Sequence, residues 1–443
     1  MTREAMRHAD AAWLRMDHPN NLMVVNSVLW FDDPVSDEDL HAVLGERLVG
    51  RFRRFRQRAV EDHGTWWEDD PDFDLAHHVH RVELPPPRGR RELEKLVASY
   101  LTVPLDRARP LWQLYVVDGY HGGTALFFRL HHCIADGIAL TRVLLSLTDD
   151  GEQYVGVVAD APEKARGLVR EVAGSVVHEA VQVATHPRHL VDLATTSASD
   201  ARALAKLVGL PFDPGVVVRR TGPDKQVVWS DPIPLDRVKA AGHATGTTVN
   251  DVLLAAVSGA LRADRERRGA RVHDVRVLVP FNLHPLDQPL PSSLGNRFGL
   301  VYLNLPVSRA TPHERLEEMA RRMSAIKRSA EGTVAYGILD VIGQAPSVIE
   351  KVVVEVFAAK GSAVMTNVAG PREPVTLAGS KLRGTMGWVP MSGSIGLGVS
   401  IFSYAGDVIV GLAVDTLQVP DAHLLMEDVV DELQALTSAA SAP

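Results

Sequence analysis

Strand-like and helix-like segments alternate in both halves of this 443-residue chain, and that pattern constrains the fold more than any other feature. In the first half, "NLMVVNSVLWF" (21–31) has the composition of a strand, and "SDEDLHAVLGERLV" (36–49) predicts a helix capped by Ser36. In the second half the alternation resumes with the strand "KQVVWSDPIP" and the helix "TTVNDVLLAAVSGALRADRERRG". Strands and helices mixed in this way predict an α/β fold with mixed sheets in two lobes.

A different kind of segment separates the two halves. Between about residues 162 and 208, apolar residues recur four apart among charged ones, which is typical of an amphipathic helix. We therefore predict a first lobe over residues 1–160, a helical connecting segment over 161–210, and a second lobe over 211–443.

Composition excludes several classes of function. The formal net charge of −8 gives no electrostatic reason to expect nucleic acid as a partner. The single cysteine, Cys133, allows neither an intramolecular disulfide nor a multi-thiolate metal site, which fits a reducing compartment. No apolar run reaches the length of a spanning helix or a signal peptide, so we expect a cytoplasmic protein; contact with a membrane surface stays open.

The candidate for chemistry is the stretch "FFRLHHCIADGIALTRVLLSL" (127–147), where His131 and His132 lie between a strand-like run and a helix-like run. An imidazole titrates near neutral pH and suits a general base. On a strand, the two rings would point to opposite faces, Asp136 could cap the following helix, and Gly137 would allow a sharp bend. The alternative is that the histidines end an edge strand and Asp-Gly makes a simple turn.

Several other stretches, in the same order along the chain, strengthen the first interpretation. "HHCIADG" fits the HHxxxDG signature of the bacterial wax ester synthase/diacylglycerol acyltransferase family, and the chain resembles that family over nearly its whole length. Further matching stretches are "HADAAWLRMDHPNNLM", "RPLWQLYVVDG", "TTVNDVLLAAVSGALR", "LGNRFG", "MTNVAGP" and "SIFSYAGDVIVGLAVD". The resemblance implies two lobes like chloramphenicol acetyltransferase and peptide-synthetase condensation domains.

The resemblance also implies roles for individual residues. His132 would be the base, His131 and Gly137 would support it, and Asp136 would hold the loop, pairing with an arginine such as Arg297. Asn250 would position substrate or stabilise an oxyanion, unless it is a simple helix-start residue. The residues expected to contact substrate are Asn296, Arg297, Thr366, Asn367, Ser403 and Tyr404.

For three other groups of residues, a functional interpretation has a purely structural alternative. Cys133 could be a nucleophile, but a small buried residue and direct transfer without an acyl-enzyme are favoured. His78 and His80 could form a metal pair with His131 or His132, although solvated strand histidines are favoured and we expect no metal. The run "RFRRFRQR" (51–58) is expected to be a solvated face, with a CoA-phosphate or anionic-lipid patch as the alternative.

The implied activity is transfer of a fatty acyl group from acyl-CoA, a co-substrate with no other cofactor, to the hydroxyl of diacylglycerol or a long-chain alcohol. The product would be triacylglycerol or wax ester, made at the inner membrane or on lipid droplets by a peripherally bound enzyme. The alternatives are a condensation-type enzyme that uses an amine, a thiol or a carrier protein, and a non-catalytic lipid-binding relative.

Overall fold

The structure is a computed structural model that describes residues 3–155, 221–282, 290, 294–296, 298–327 and 360–439. Its strands are β1 (Arg3–Ala5), β2 (Val24–Phe31), β3 (Gln57–Glu61), β4 (Thr65–Asp69), β5 (Val79–Glu83), β6 (Trp112–Tyr120), β7 (Gly123–His131), β8 (Lys225–Trp229), β9 (Ile233–Pro234), β10 (Val275–Asn282), β11 (Phe298–Leu305), β12 (Ala363–Ala369), β13 (Thr376–Leu377), β14 (Ser380–Trp388), β15 (Leu397–Tyr404) and β16 (Asp407–Asp415). Its α-helices are α1 (His8–Arg15), α2 (Asp37–Val43), α3 (Arg90–Tyr100), α4 (Gly137–Leu145), α5 (Glu152–Val155), α6 (Leu235–Thr245), α7 (Val249–Arg267), α8 (Pro312–Lys327) and α9 (Ala422–Ala439).

Two large mixed sheets form the two lobes. The first has the strand order β13-β14-β2-β7-β6-β5, and the second has the order β11-β10-β12-β15-β16-β8, with β9 paired to β16. A small third sheet joins β1, β4 and β3. The predicted two-lobed α/β fold with mixed sheets is confirmed.

One strand of the first sheet comes from late in the chain. β14 pairs antiparallel with β2, with Trp388 opposite Asn26, and β13 pairs with β14. The predicted range 211–443 is therefore not confined to one lobe, because Thr376–Trp388 completes the sheet of the other lobe. Strand pairing across so many residues leaves no local signal in the sequence. The predicted boundaries at 160 and 210, and the helical segment 161–210, lie outside the described residues.

The two sheets share an apolar core. Each sheet turns one face toward helices of its own lobe and the other toward a common cluster. That cluster contains Phe127 and Met386 from the first sheet and Trp229 and Phe402 from the second, all less than a tenth exposed. The lobes are thus packed together through buried side chains.

Helix starts and hairpin turns follow the signals in the sequence. The Ser36 hydroxyl accepts a hydrogen bond from the Asp39 N–H, and α2 continues beyond Val43 as a π-helical turn over Leu44–Val49. Thr248 and Asp251 form a reciprocal capping box at the start of α7. In the turn between β6 and β7, His121 and Gly122 have φ angles of 50° and 90°, as a two-residue hairpin requires.

The basic run at 51–58 differs from the prediction. Phe52 and Phe55 are buried, and Arg54 is 8% exposed because it packs over Trp67 and pairs with Glu4. Arg51 and Arg53 pair with Glu152 and Asp69. The run is therefore a folded edge in which most of the arginines are paired with carboxylates, which argues against a fully solvated face.

Candidate active site

His131 ends β7, and its ring is held in one tautomer. Its Nδ1 accepts a hydrogen bond from the Cys133 N–H (3.1 Å), so the proton is assigned to Nε2, which faces Asp17 Oδ2 at 3.3 Å. Only 2% of the residue is exposed. His131 is therefore placed to support its neighbour.

His132 follows the strand, and its backbone is held on both sides. Its N–H donates to the Met23 carbonyl (2.7 Å), and its carbonyl accepts from Asn296 Nδ2 (2.8 Å). Its ring stacks on Trp13, with centroids 4.2 Å apart and planes 25° apart. The two histidine rings thus contact different partners, Asp17 and Trp13.

The surroundings of His132 determine its charge. Burial lowers the pKa of His132 to about 4, and the neighbouring His131 acts in the same direction, while hydrogen bonding that includes Asn296 opposes them. The imidazole is therefore neutral at pH 7, the form that can accept a proton.

Asp17 contacts both Met23, which holds the backbone of His132, and the ring of His131. Its Oδ1 accepts the Met23 N–H (2.7 Å), and its Oδ2 faces His131 Nε2 and the Arg107 guanidinium (3.0 Å). Burial acts to raise the pKa of Asp17, but the hydrogen bond and charge of His131, the Met23 N–H and Arg107 together lower it to about 2. The carboxylate is therefore ionised at neutral pH and holds the Nε2–H of His131.

A second carboxylate fixes the loop that comes from the other half of the chain. Asp10 Oδ1 accepts from both the N–H (2.9 Å) and the Nδ2 (2.8 Å) of Asn296. Burial raises the pKa of Asp10 to about 6, against these hydrogen bonds and the charges of Arg7 and Arg54. A Cβ at Gly295 would lie 3.0 Å from Arg7 and 3.1 Å from Asp10, so close approach explains the glycine.

The remainder of the HHxxxDG signature begins α4. Asp136 caps this helix by accepting the Ala139 N–H (2.9 Å), which confirms the predicted cap. Gly137 differs from the expected sharp bend: its φ is not positive, and a Cβ there would meet no atom within 4 Å. Cys133 is fully buried, and burial raises the pKa of its thiol, which disfavours a thiolate nucleophile.

The other predicted site residues form separate contacts. Asn367 donates to Asn250 Oδ1 (3.1 Å), which joins the start of α7 to the end of β12. Thr366 and Ser403 lie on the neighbouring strands β12 and β15. Tyr404 differs in character, because its hydroxyl donates to the Leu382 carbonyl and accepts the Val375 N–H, both at 2.9 Å. Arg297 lies outside the described residues, so its pairing with Asp136 stays a prediction.

Sequence reasoning missed the residues that hold the histidines: Asp10, Trp13, Asp17 and Met23. Asp10 and Trp13 are three apart on α1 and therefore share a helix face. The available signal was an aspartate inside the apolar run "ADAAWL", since a buried carboxylate needs partners. The stretch was recognised as resembling the family without roles for its residues.

The expected solvation of the 77–80 histidines is wrong for His78. Its Nδ1–H donates to the Trp112 carbonyl (2.8 Å), its ring stacks on Trp112 and Phe73, and the residue is 2% exposed. His80 is half-buried against Tyr115. In the parts of the chain that the structure describes, no group of three potential ligands could hold a metal ion.

Comparison with known proteins identifies the family. Residues 6–253 match the model of the wax ester synthase/diacylglycerol acyltransferase catalytic domain, and residues 294–437 match that of the WS/DGAT C-terminal domain. A probable diacylglycerol O-acyltransferase of Mycobacterium tuberculosis is 28% identical, with 97% of this chain and 95% of that protein covered. The O-acyltransferase WSD of Acinetobacter baylyi is 26% identical over 84% of this chain and 83% of its own length.

Solved structures show the same fold. The wax ester synthase/diacylglycerol acyltransferase of Marinobacter aquaeolei VT8 superposes with a TM-score of 0.72 at 21% identity, covering 99% of this chain and 100% of that one. The first condensation domain of the calcium-dependent antibiotic synthetase has a TM-score of 0.61 at 17% identity, covering 100% and 97%. The family matches span most of the chain and confirm the resemblance found in the sequence. The chain belongs to the wax ester synthase/diacylglycerol acyltransferase family.

Proposed function

We propose that this protein is an O-acyltransferase that moves a fatty acyl group from acyl-CoA to the hydroxyl of diacylglycerol or a long-chain alcohol. Family membership supports the reaction class, and the names of the relatives support the acceptors. The observation that carries the mechanism is the buried imidazole of His132, held by Met23, Asn296 and Trp13 where the two halves of the chain meet.

His132 acts as the general base. Its imidazole takes the proton of the acceptor hydroxyl while that oxygen attacks the thioester carbonyl carbon. The tetrahedral oxyanion then collapses, the carbon–sulfur bond breaks, and the CoA thiolate leaves and recovers the proton from the imidazolium. The ionised Asp17 faces His131, which precedes His132 in the chain. Its negative charge stabilises the transient positive charge of the His132 imidazolium.

The oxyanion requires donors that are already in position. Asn250 and Asn367, hydrogen-bonded to each other, are candidates for this role and for contacting substrate. Asn296, by contrast, uses its side-chain amide on Asp10 and the His132 carbonyl, which is a positioning role.

Access to His132 is narrow. The residue keeps 5% of its surface exposed, so the acceptor hydroxyl and the thioester have to reach a largely enclosed imidazole. A site this dry strengthens every charge interaction within it.

We propose that the apolar acceptor brings the enzyme to a membrane or lipid-droplet surface, without insertion. Within the described ranges, none of the helices combines the length and apolarity needed to cross a bilayer. Transient binding to the inner membrane is consistent with a substrate that partitions into lipid.

Turnover assays with purified protein test the function. Radiolabelled palmitoyl-CoA is offered with dioleoylglycerol, hexadecanol, a long-chain amine and a thiol, and the products are separated. Ester from the two hydroxyl acceptors is the expected result. Amide or thioester as the main product would favour a condensation-type enzyme, and lipid binding with no product from any acceptor would favour a non-catalytic relative.

Substitution of the base tests the mechanism. His132→Ala should lower kcat by about 10²- to 10⁴-fold with an unchanged circular dichroism spectrum, and His131→Ala should have a milder effect. Wild-type turnover in His132→Ala would rule out this residue as the base.

A further inference from the structure

A short loop in the first half of the chain holds both histidines of the candidate site. In segment 17–23, Asp17 Oδ2 faces the His131 ring, and the Met23 carbonyl accepts the His132 N–H. Asp17 Oδ1 also accepts the Met23 N–H at 2.7 Å, so the two ends of the segment are joined. A residue that fixes this segment in place therefore also fixes the backbone of His132.

Asn21 lies inside this loop and is 3% exposed. Its Nδ2 donates to the carbonyls of Gly393 (2.7 Å) and Ile395 (3.1 Å), and its Oδ1 accepts from Lys225 Nζ (3.2 Å). Its backbone N–H and carbonyl both form hydrogen bonds with His18. The side chain thus bonds to the second half of the chain, at least 204 residues away, while the backbone stays within the loop.

The partners of Asn21 account for an amide at this position. An amide offers two N–H donors on its nitrogen and a separate acceptor oxygen. Here the donors face two carbonyls and the oxygen faces an ammonium group. A carboxylate would be repelled by the carbonyls, and an aliphatic side chain would supply neither kind of contact. Asn21 therefore matches both sets of partners.

The ion pair beside Asn21 follows from the register of the second sheet. Lys225 of β8 stands opposite Asp415 of β16, and Lys225 Nζ lies 2.8 Å from Asp415 Oδ2. The two side chains are 1% and 0% exposed. A buried ion pair needs further hydrogen bonds around it, and Asn21 Oδ1 supplies one to the ammonium. The pair therefore orients the amide of Asn21 from the strands of a sheet.

The partners of segment 17–23 belong to two parts of the second half of the chain. Gly393 and Ile395 lie in the connection from β14, a strand of the first sheet, to β15, a strand of the second. Asn20 Nδ2 adds a hydrogen bond to the Thr221 carbonyl (2.8 Å), just before β8. The segment is therefore attached both to the second lobe and to the place where the chain passes between the sheets.

We propose that Asn21 is a positioning residue for the general base. It holds segment 17–23 against the second lobe, with Lys225 orienting its amide, and so sets the place of the His132 backbone and the direction of the imidazole. The assignment rests on the proposed function in one respect, that His132 is the base. Asn21 acts through Met23, and misplacing a reacting group by about 1 Å can lower a rate by about 10²-fold.

Substitution of Asn21 should change kcat and leave KM alone. Asn21→Ala should lower kcat by about 10- to 10²-fold, because the base is displaced, while KM for palmitoyl-CoA stays nearly unchanged. The control is Asn304→Ala on β11, which also removes an amide oxygen that accepts from a cationic side chain, Arg276 Nε at 3.2 Å. It should keep the kcat of the wild type. Wild-type kcat in Asn21→Ala, or an equal loss in both variants, would overturn the proposal.

A second variant tests the role of Lys225. Lys225→Met/Asp415→Asn removes the ammonium group without leaving an uncompensated carboxylate in the core, and kcat should fall as in Asn21→Ala. Because Lys225 acts through Asn21, adding Asn21→Ala to this variant should cause little further loss. Losses that multiply would show that the two sites act independently and would contradict the orienting role.

Hydrogen exchange follows the position of the base without turnover. The amide of His132, which donates to the Met23 carbonyl at 2.7 Å, should exchange faster in Asn21→Ala than in the wild type or Asn304→Ala, while the amides of β6 keep their protection. Faster exchange at His132 in a protein whose wild type makes no ester would support the positioning role and refute the proposed reaction. Unchanged exchange at His132, or an equal increase throughout β6, would refute the positioning role.

Discussion

At the scale of single residues, the environment of one imidazole determines whether it can act as the base that we propose. Trp13 covers a face of the His132 ring, and burial keeps the ring neutral, whereas Asp17 fixes the neighbouring His131. At neutral pH the buried His132 imidazole is uncharged and the half-buried Asp17 carboxylate is negatively charged, because burial dominates at His132 and hydrogen-bond partners dominate at Asp17. Substitutions of the residues around His132 therefore test the mechanism as well as substitution of His132 itself.

The low pKa of His132 predicts the acid limb of the pH–rate profile. Protonation abolishes the base, so kcat/KM should stay on a plateau below the usual imidazole value of about 6.5 and fall only toward about pH 4. His132 alone would make stability fall as pH drops through this interval, whereas Asp10 and Glu94, whose pKa values are raised in the folded protein, act in the opposite direction, so the rate and not the stability reports on the base. Rate measurements between about pH 4 and about pH 8 check this expectation, and an acid limb near pH 6.5 would contradict it.

Trp13→Ala should move the same limb toward higher pH. Removing the indole lets water reach the imidazole, which reverses part of the desolvation that lowers the pKa of His132. Trp13→Phe retains an aromatic face and should stay close to the wild-type profile. A limb that does not move in Trp13→Ala would mean that the tryptophan has no part in setting the base.

Asp17→Asn should lower kcat on the order of tenfold and leave KM for acyl-CoA nearly unchanged. The asparagine retains the size of the side chain but loses the charge that faces His131 Nε2 and Arg107. Asp236→Asn is the control, because it makes the same change at an exposed aspartate that pairs with Lys239 on α6. A selective rise in KM would assign Asp17 to substrate binding instead.

At the scale of elements, the site depends on where helices and strands begin. β7 ends at His131 and α4 begins at Gly137, so the signature occupies the connection between them. α1 contributes Trp13 and Asp10 on one face, and the capping box of α7 places Asn250 in its first turn. Substitutions at these helix and strand ends should therefore change both the free energy of unfolding and the catalytic activity.

The cap of α7 gives a matched pair of variants. Thr248→Ala removes the hydroxyl that accepts the Asp251 N–H (3.2 Å), and we expect a loss of about 1 kcal/mol in the free energy of unfolding. Thr248→Ser retains the hydroxyl and should lose much less. Urea denaturation of both variants measures the difference, and equal losses would show that the methyl group matters more than the cap.

At the scale of the whole molecule, the shared core and the crossing strand join the two lobes. Met386 of β14 is fully buried in that core, although β14 belongs to the first sheet. Asn296 of the second half holds the carbonyl of His132 in the first. The lobes are therefore expected to unfold together.

Hydrogen exchange can test this cooperativity with two substitutions of the same type. Met386→Ala in the shared core and Met319→Ala in the second-lobe core both remove a fully buried methionine, at a cost of about 2–5 kcal/mol. If the lobes unfold as one unit, Met319→Ala should reduce amide protection in β6 and β7 of the first lobe as well. Unchanged protection there would show that the lobes open independently.

Features that depend on neighbouring residues could be predicted from the sequence, whereas contacts between residues far apart in the chain could not. Ser36 and Asp136 were predicted as helix caps and are found as such, and the ordered stretches identified the family. The crossing of β14, the burial of His78 and the contacts of Asp10 with Asn296 depend on residues distant in sequence. Pairings of that kind are determined by tertiary packing and leave only weak local signals.

The placement of β14 has a consequence for hybrid enzymes. A first lobe transplanted from a relative would lack its own strand beside β2 unless Thr376–Trp388 travelled with it, although that stretch is encoded near the other end of the gene. A graft joined only at the connecting segment would pair β2 of one parent with β14 of the other, so the facing side chains of the two strands would not be matched. Recombination between members of this family should therefore succeed when the first lobe and Thr376–Trp388 come from the same parent.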